Sequence, residues 1–178
     1  MNDRQLAEYV AMRDTIRQRG TLRMALIPVI FIGWAATAIA TAAIITVAIS
    51  TLVPLIVLVA GFETVFALHI NVERIGRYLQ VFHEPDGGWE HVAMAFGERP
   101  VRGTPDPLFS QVFVFAISMN FLPVLLGGEP PEMIVLAVLH VLAVFRIRMA
   151  RGTSRRQRAE DLERFESLRT PTRSTESN

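Results

Sequence analysis

Glu63 closes a run of 39 residues, Met24 to Phe62, that contains no Asp, Glu, Lys, Arg, His, Asn or Gln. A carboxylate there invites chemistry, because an unpaired charge near the centre of a bilayer costs several kcal/mol and must be protonated, paired or hydrated. His140 and Asn120 stand in two other apolar stretches, and at ~1.5 Å of helix rise per residue both fall within roughly 3 to 9 Å of Glu63 in depth. Glu63, His140 and Asn120 are therefore a candidate intramembrane polar cluster. One reading makes Glu63 and His140 a proton or cation site of a small transporter or channel. The other makes them interhelical hydrogen bonds worth about 1 kcal/mol that fix the register of a helical bundle.

A second constellation consists of His83, Glu84, Glu90 and His91, with Asp86 between them and His69 upstream. These are metal-ligand types, and a divalent ion held by them at the membrane surface would imply an enzyme acting on headgroups. Their spacing matches no HExxH-type motif, and residues of a solvated, charged turn have the same composition. A third group is basic: Arg74, Arg77, Arg146, Arg148 and Arg151 lie where apolar sequence gives way to polar, placed to contact anionic lipid headgroups at ~1 kcal/mol each. Retention of positive charge on the cytoplasmic side during insertion explains the same residues, and the mixed charge of the neighbouring segments argues against a nucleic-acid partner. No phosphate loop, nucleophile elbow, haem motif or dinucleotide fingerprint is present. With no cysteine in the chain, thiol catalysis and disulfides are excluded, and no cofactor is expected apart from the candidate divalent metal.

The elements that must hold these residues are apolar helices. The 178 residues are 51% hydrophobic, and the charged ones gather in three segments. A bilayer core needs ~20 helical residues, so the 39-residue run accounts for two crossings with a turn at Ser50 to Pro54. The expected spans are about 22–49, 54–72, 108–126 and 133–150, paired as two short-looped hairpins. Gly33, Thr37 and Thr41 give the first a face of small side chains for close helix approach. Pro123 should bend the third, and the fourth reaches full length only if Arg146 and Arg148 extend their guanidinium groups to the interface.

Outside the spans, residues 1–21 predict a weak amphipathic helix stopped by Gly20, with Arg13 and Arg17 intruding on its apolar side. Segment 73–107 predicts a continuation of the second helix, a turn at His83 to Gly88, and a short amphipathic helix bearing Trp89, Val92, Ala93 and Phe96. Residues 151–178 predict an Arg-rich helix to about Leu168 and then a disordered tail. The polar N-terminal stretch does not resemble a cleaved signal peptide.

Arginine distribution sets the expected orientation. Residues 1–23 hold 5, 71–107 hold 4 and 146–178 hold 9, while both hairpin loops hold none. Four spans with N- and C-termini in the cytoplasm explain every one. The expectation is an all-α polytopic protein of a bacterial inner membrane, forming a homo-oligomer or joining a partner membrane protein. Its expected role is a non-catalytic scaffold or subunit, with the transporter and the metal-dependent surface enzyme as alternatives.

Overall fold

The computed structural model describes residues 2–44, 47–98, 106 and 108–175, with side chains described for all of these except 97, 98 and 170–175. All secondary structure among the described residues is helical: α1 (Asp3–Ile44), a 3-10 turn (Ala48–Thr51), α2 (Leu52–Phe82), α3 (Trp89–Glu98), α4 (Ser110–Asn120), α5 (Leu122–Gly127) and α6 (Pro130–Thr175). Four helical stretches, at 3–44, 48–82, 110–127 and 130–169, are long and apolar enough to cross a membrane.

The helices depart from the expected boundaries for local reasons. Gly20 does not end the N-terminal helix: α1 runs through it, because a glycine costs only ~1 kcal/mol relative to alanine when no proline or left-handed residue follows. Gly152 is likewise inside α6, so the fourth span and the Arg-rich segment are one helix. This helix passes Leu168 and continues to Thr175, where a disordered tail was expected; residues 176–178 lie outside the described residues. The first span is described as helix to Ile44, and by Ala48, before the expected end at Ile49, the chain has entered the 3-10 turn. The third is divided at Phe121, two residues before Pro123, whose ring occupies the space of the preceding turn and whose nitrogen offers no hydrogen. Pro130 and Pro131 open α6, where the missing N–H groups would have had no partner.

The chain divides into two compact units. One comprises 23–67 and 106–152 and holds the apolar stretches. Within it α1 and α2 are antiparallel neighbours: Gly33 faces Val57, and Gly61 is packed so closely on Ile30 that a Cβ there would sit 2.5 Å from Ile30 Cγ2. Phe31, Phe62 and Phe113 join α1, α2 and α4 through ring contacts of 5.3 Å. Ala48, Val124 and Leu136 are buried together, which brings the two short connections to one end of the unit. The core of this unit is apolar, with Leu58, Phe62, Phe113 and Leu136 fully buried and Asn120 and His140 buried beside them, while Ile32, Ile39, Ile44, Val138 and Val141 are exposed, as in helices long and apolar enough to cross a membrane.

The other unit comprises 1–22, 68–105 and 153–178, so three segments read in the sequence as separate extramembrane pieces pack together. Tyr78 and Phe82 of α2 meet Phe165 of α6 edge-on at 5.7 and 6.2 Å. Arg74 pairs with Asp161 at 3.1 Å and Arg158 with Glu73 at 2.6 Å along the same pair of helices.

Candidate functional site

Asn120 is the last residue of α4, and the break that follows turns its side chain among three other segments. Its Nδ2 donates to the Thr51 carbonyl at 2.9 Å and lies 3.1 Å from His140 Nε2, and its Oδ1 accepts from the Trp34 indole at 3.2 Å. His140 Nδ1 is 2.8 Å from the Leu136 carbonyl, which can only accept. That pairing places the ring hydrogen on Nδ1 and leaves Nε2 as the acceptor for Asn120. Both amide hydrogens, the amide oxygen and both ring nitrogens are thus in use. The node ties α1, the 3-10 turn, α4 and α6 together, and all its members are polar groups with no net charge.

Glu63 is not part of this node. Its Oε2 accepts from Arg146 Nη2 at 2.8 Å, and the Arg146 guanidinium lies 4.9 Å from the centre of the Phe66 ring. Depth counting along single helices brings Asn120 and His140 to the same level and these two do meet. It misplaces Glu63, because Arg146, the first arginine of α6, stands beside it, so the carboxylate is level with the end of the apolar stretch of α6 rather than with its middle. The pair is about two-fifths exposed on each side, which suits a boundary position.

No protein-family model, no curated protein and no solved structure matches this chain.

The four candidate metal ligands lie in the other unit, where the two acids share Arg13 and each histidine has its own neighbours. Glu84 and Glu90 both pair with Arg13, and Glu90 also lies 3.4 Å from Arg77 Nη2. Glu84 Oε2 accepts the Glu90 backbone N–H at 2.8 Å and so caps α3, while Tyr9 donates to Glu84 Oε1 at 3.3 Å. His83 sits between the rings of Tyr9 and Tyr78, 3.9 Å from Glu8, and His91 Nδ1 is 3.3 Å from Gln80 Nε2. Among the described residues no three His, Cys, Asp or Glu side chains converge as a metal ion would require. The acids instead anchor α3 to α1 and α2. Gly76 makes room for this, since a Cβ there would lie 2.7 Å from Glu90 Oε2.

Arg13 is the residue that the sequence reading undervalued. It was an intruder on an apolar helix face, and that misfit was its signal: a half-buried cation needs acids, and here it finds two. Trp34 and the Thr51 carbonyl gave no comparable signal, because an indole reads as an interface residue and a backbone carbonyl is invisible in sequence.

Of the five arginines expected at headgroups, four are in ion pairs: Arg74 with Asp161, Arg77 with Glu90, Arg146 with Glu63 and Arg151 with Asp106. Arg77 is buried and Arg148 is exposed. Asp106 also accepts the backbone N–H groups of Leu108 at 3.1 Å and Ser110 at 2.7 Å, capping α4. Burial pushes the Asp106 carboxyl up, but Arg151 and these N–H groups outweigh it and hold the group below the usual carboxylate range.

The short helix α3 is inside out. Its Glu90 is buried and its His91 half-buried against the unit, whereas Trp89, Val92 and Phe96 are 69%, 55% and 66% exposed. These three recur at i, i+3 and i+7 and so share one face.

Proposed function

We propose that this protein is a non-catalytic integral membrane component, a scaffold or subunit of a membrane complex, that engages a partner protein through the outward face of α3. The observation that carries the reading is the reversed polarity of that helix. A short amphipathic helix ordinarily turns its apolar residues inward, and here Glu90 and His91 are spent on anchorage while Trp89, Val92 and Phe96 face outward. Large aromatic side chains on a pinned helix are the type of group that dominates protein–protein contacts. In this reading the protein resides in a bacterial inner membrane with both termini in the cytoplasm, supported by the absence of arginine from the two hairpin loops. The exposed Arg148 contacts anionic headgroups, and the partner is another membrane protein or a second copy of the chain.

Isolation from native membranes without crosslinker tests this. The expected result is a second protein, or a second copy, at fixed stoichiometry with the wild type and its loss from a Trp89→Glu, Phe96→Glu variant whose helical content is unchanged. A variant that keeps the complex intact overturns the assignment. Proton-coupled flux in liposomes that disappears in Glu63→Gln would replace it with the transporter.

A further inference from the structure

An apolar groove of about 570 Å³ runs between α2 and α6, lined by Leu52, Leu55, Ile56 and Val59 on one side and Leu139 and Leu142 on the other, and it ends at Arg146. All these residues belong to the apolar unit. The two helices run in the same direction here, since the lining moves from Leu52 and Leu139 to Ala60 and Arg146 together. Glu63 continues the α2 side of the groove one turn beyond Val59 and Ala60.

The charged end is a dyad only partly consumed by its own ion pair. Arg146 gives Nη2 to Glu63 Oε2, which leaves Nε, Nη1 and Glu63 Oε1 without a partner among the described residues, and both side chains are about two-fifths exposed. A surface of this kind offers, side by side, donors for an anion and an acceptor for a cation, joined to a slot that takes only hydrocarbon.

We propose that this groove binds a phospholipid with a primary-ammonium headgroup, its acyl chain lying along Leu52 to Val59 and Leu139 to Leu142, its phosphate on Arg146 and its ammonium on Glu63. The dyad has no net charge, so a headgroup that also carries both signs matches it. A purely anionic headgroup would set its charge against the Glu63 carboxylate. A quaternary ammonium would satisfy the charge but bring no N–H to donate to Oε1. The aliphatic slot distinguishes a lipid from free phosphate, which has nothing to place there. The assignment goes beyond the scaffold role and does not depend on it, because no residue of α3 takes part.

Native mass spectrometry of the full-length protein, released from detergent with equal amounts of phosphatidylethanolamine, phosphatidylcholine and phosphatidylglycerol of the same acyl chains, tests it. We expect one tightly held lipid per chain, with phosphatidylethanolamine favoured over each competitor by roughly threefold to tenfold, the scale of one charge-assisted hydrogen bond at a half-exposed site. In Glu63→Gln the preference over phosphatidylcholine should fall towards one, while Ala60→Phe, which fills the slot from an exposed position, should reduce all three lipids together. The ratio between lipids is read within one spectrum, so partial loss of folded protein does not alter it. Tighter binding of phosphatidylglycerol, a ratio unchanged in Glu63→Gln, or a dimer that forms with the groove free of lipid overturns the proposal.

Discussion

Asn120 turns two amide hydrogens and one oxygen towards the node, and all three are used, on Thr51, His140 and Trp34. Replacing it with Leu removes the amide and leaves an indole N–H, a carbonyl and an imidazole nitrogen unpaired in an apolar setting. Individual interhelical hydrogen bonds average about 0.6 kcal/mol and reach about 1.7, so three lost together should cost about 2 kcal/mol. A thermal melt in detergent, followed by circular dichroism, should show the transition lowered by several degrees, and an unchanged melt would mean that the node is ornamental. Glu90 is the counterpart in the other unit. Glu90→Gln leaves Arg13 and the buried Arg77 facing each other without the acid that separates them, and breaking a buried pair in this way costs about 3 kcal/mol or more. Faster cleavage by protease in the segment after Phe96, relative to wild type, is the expected readout. Asp106 supplies a pH-dependent case. Because its folded pKa is lowered, its contribution is complete above the ordinary carboxylate pKa of ~4 and is lost as pH falls through the lower folded value. Asp106→Asn should therefore melt below wild type at neutral pH, and the gap should close progressively in acid.

Between helices, close approach depends on residues that lack a side chain where another must fit. Gly61→Ala would press a Cβ into Ile30, the one buried residue of α1, and overpacking of that kind costs ~1–3 kcal/mol. The double variant with Ile30→Ala should recover part of the loss, since it returns the space; failure to recover anything would show that α1 and α2 are not held by this contact. The sequence announced such a crossing only generically. Gly33, Thr37 and Thr41 marked a small-residue face on α1, with Ala60, Gly61 and Ala67 as its counterpart on α2, and Gly33 does face Val57, but Gly61 closes on the large Ile30 rather than on another small residue. Periodicity locates faces of a helix; it does not give the rotation of one helix against another, and that rotation decides whether Glu63 meets His140 or Arg146. The same limit explains the helix ends. Gly20 looked like a stop because glycine weakens a helix, yet it is helical, as is Gly152, since termination needs a competing conformation as well as a weak residue. At His83 to Gly88 both were present, with Gly87 at φ 87°, and the helix ends there as the composition indicated.

For the chain as a whole, hydrophobic run length was the dominant signal and it translated directly into four long apolar helices. The association of residues 1–22, 68–105 and 153–178 into one unit had no such signal, because it rests on pairs 70 or more residues apart, such as Tyr78 with Glu8 and Arg13 with Glu84. If the arginine distribution governs insertion, reporters fused before Met1 and after Asn178 should both register the cytoplasm, and one inserted at Gly128 should register the opposite side. Alkaline carbonate should leave the protein in the membrane pellet, as expected for helices that expose Ile39, Ile44 and Val141 to their surroundings. The saturated node at Asn120 also bears on how such a protein can move. Sliding α6 by a single turn would pull His140 away from Asn120, and a knot with no loose end has no spare donor or acceptor to answer the loss, so an amide hydrogen and a ring nitrogen would both be stranded. Any working motion of α6 must therefore either carry Asn120 along with His140 or bear that cost.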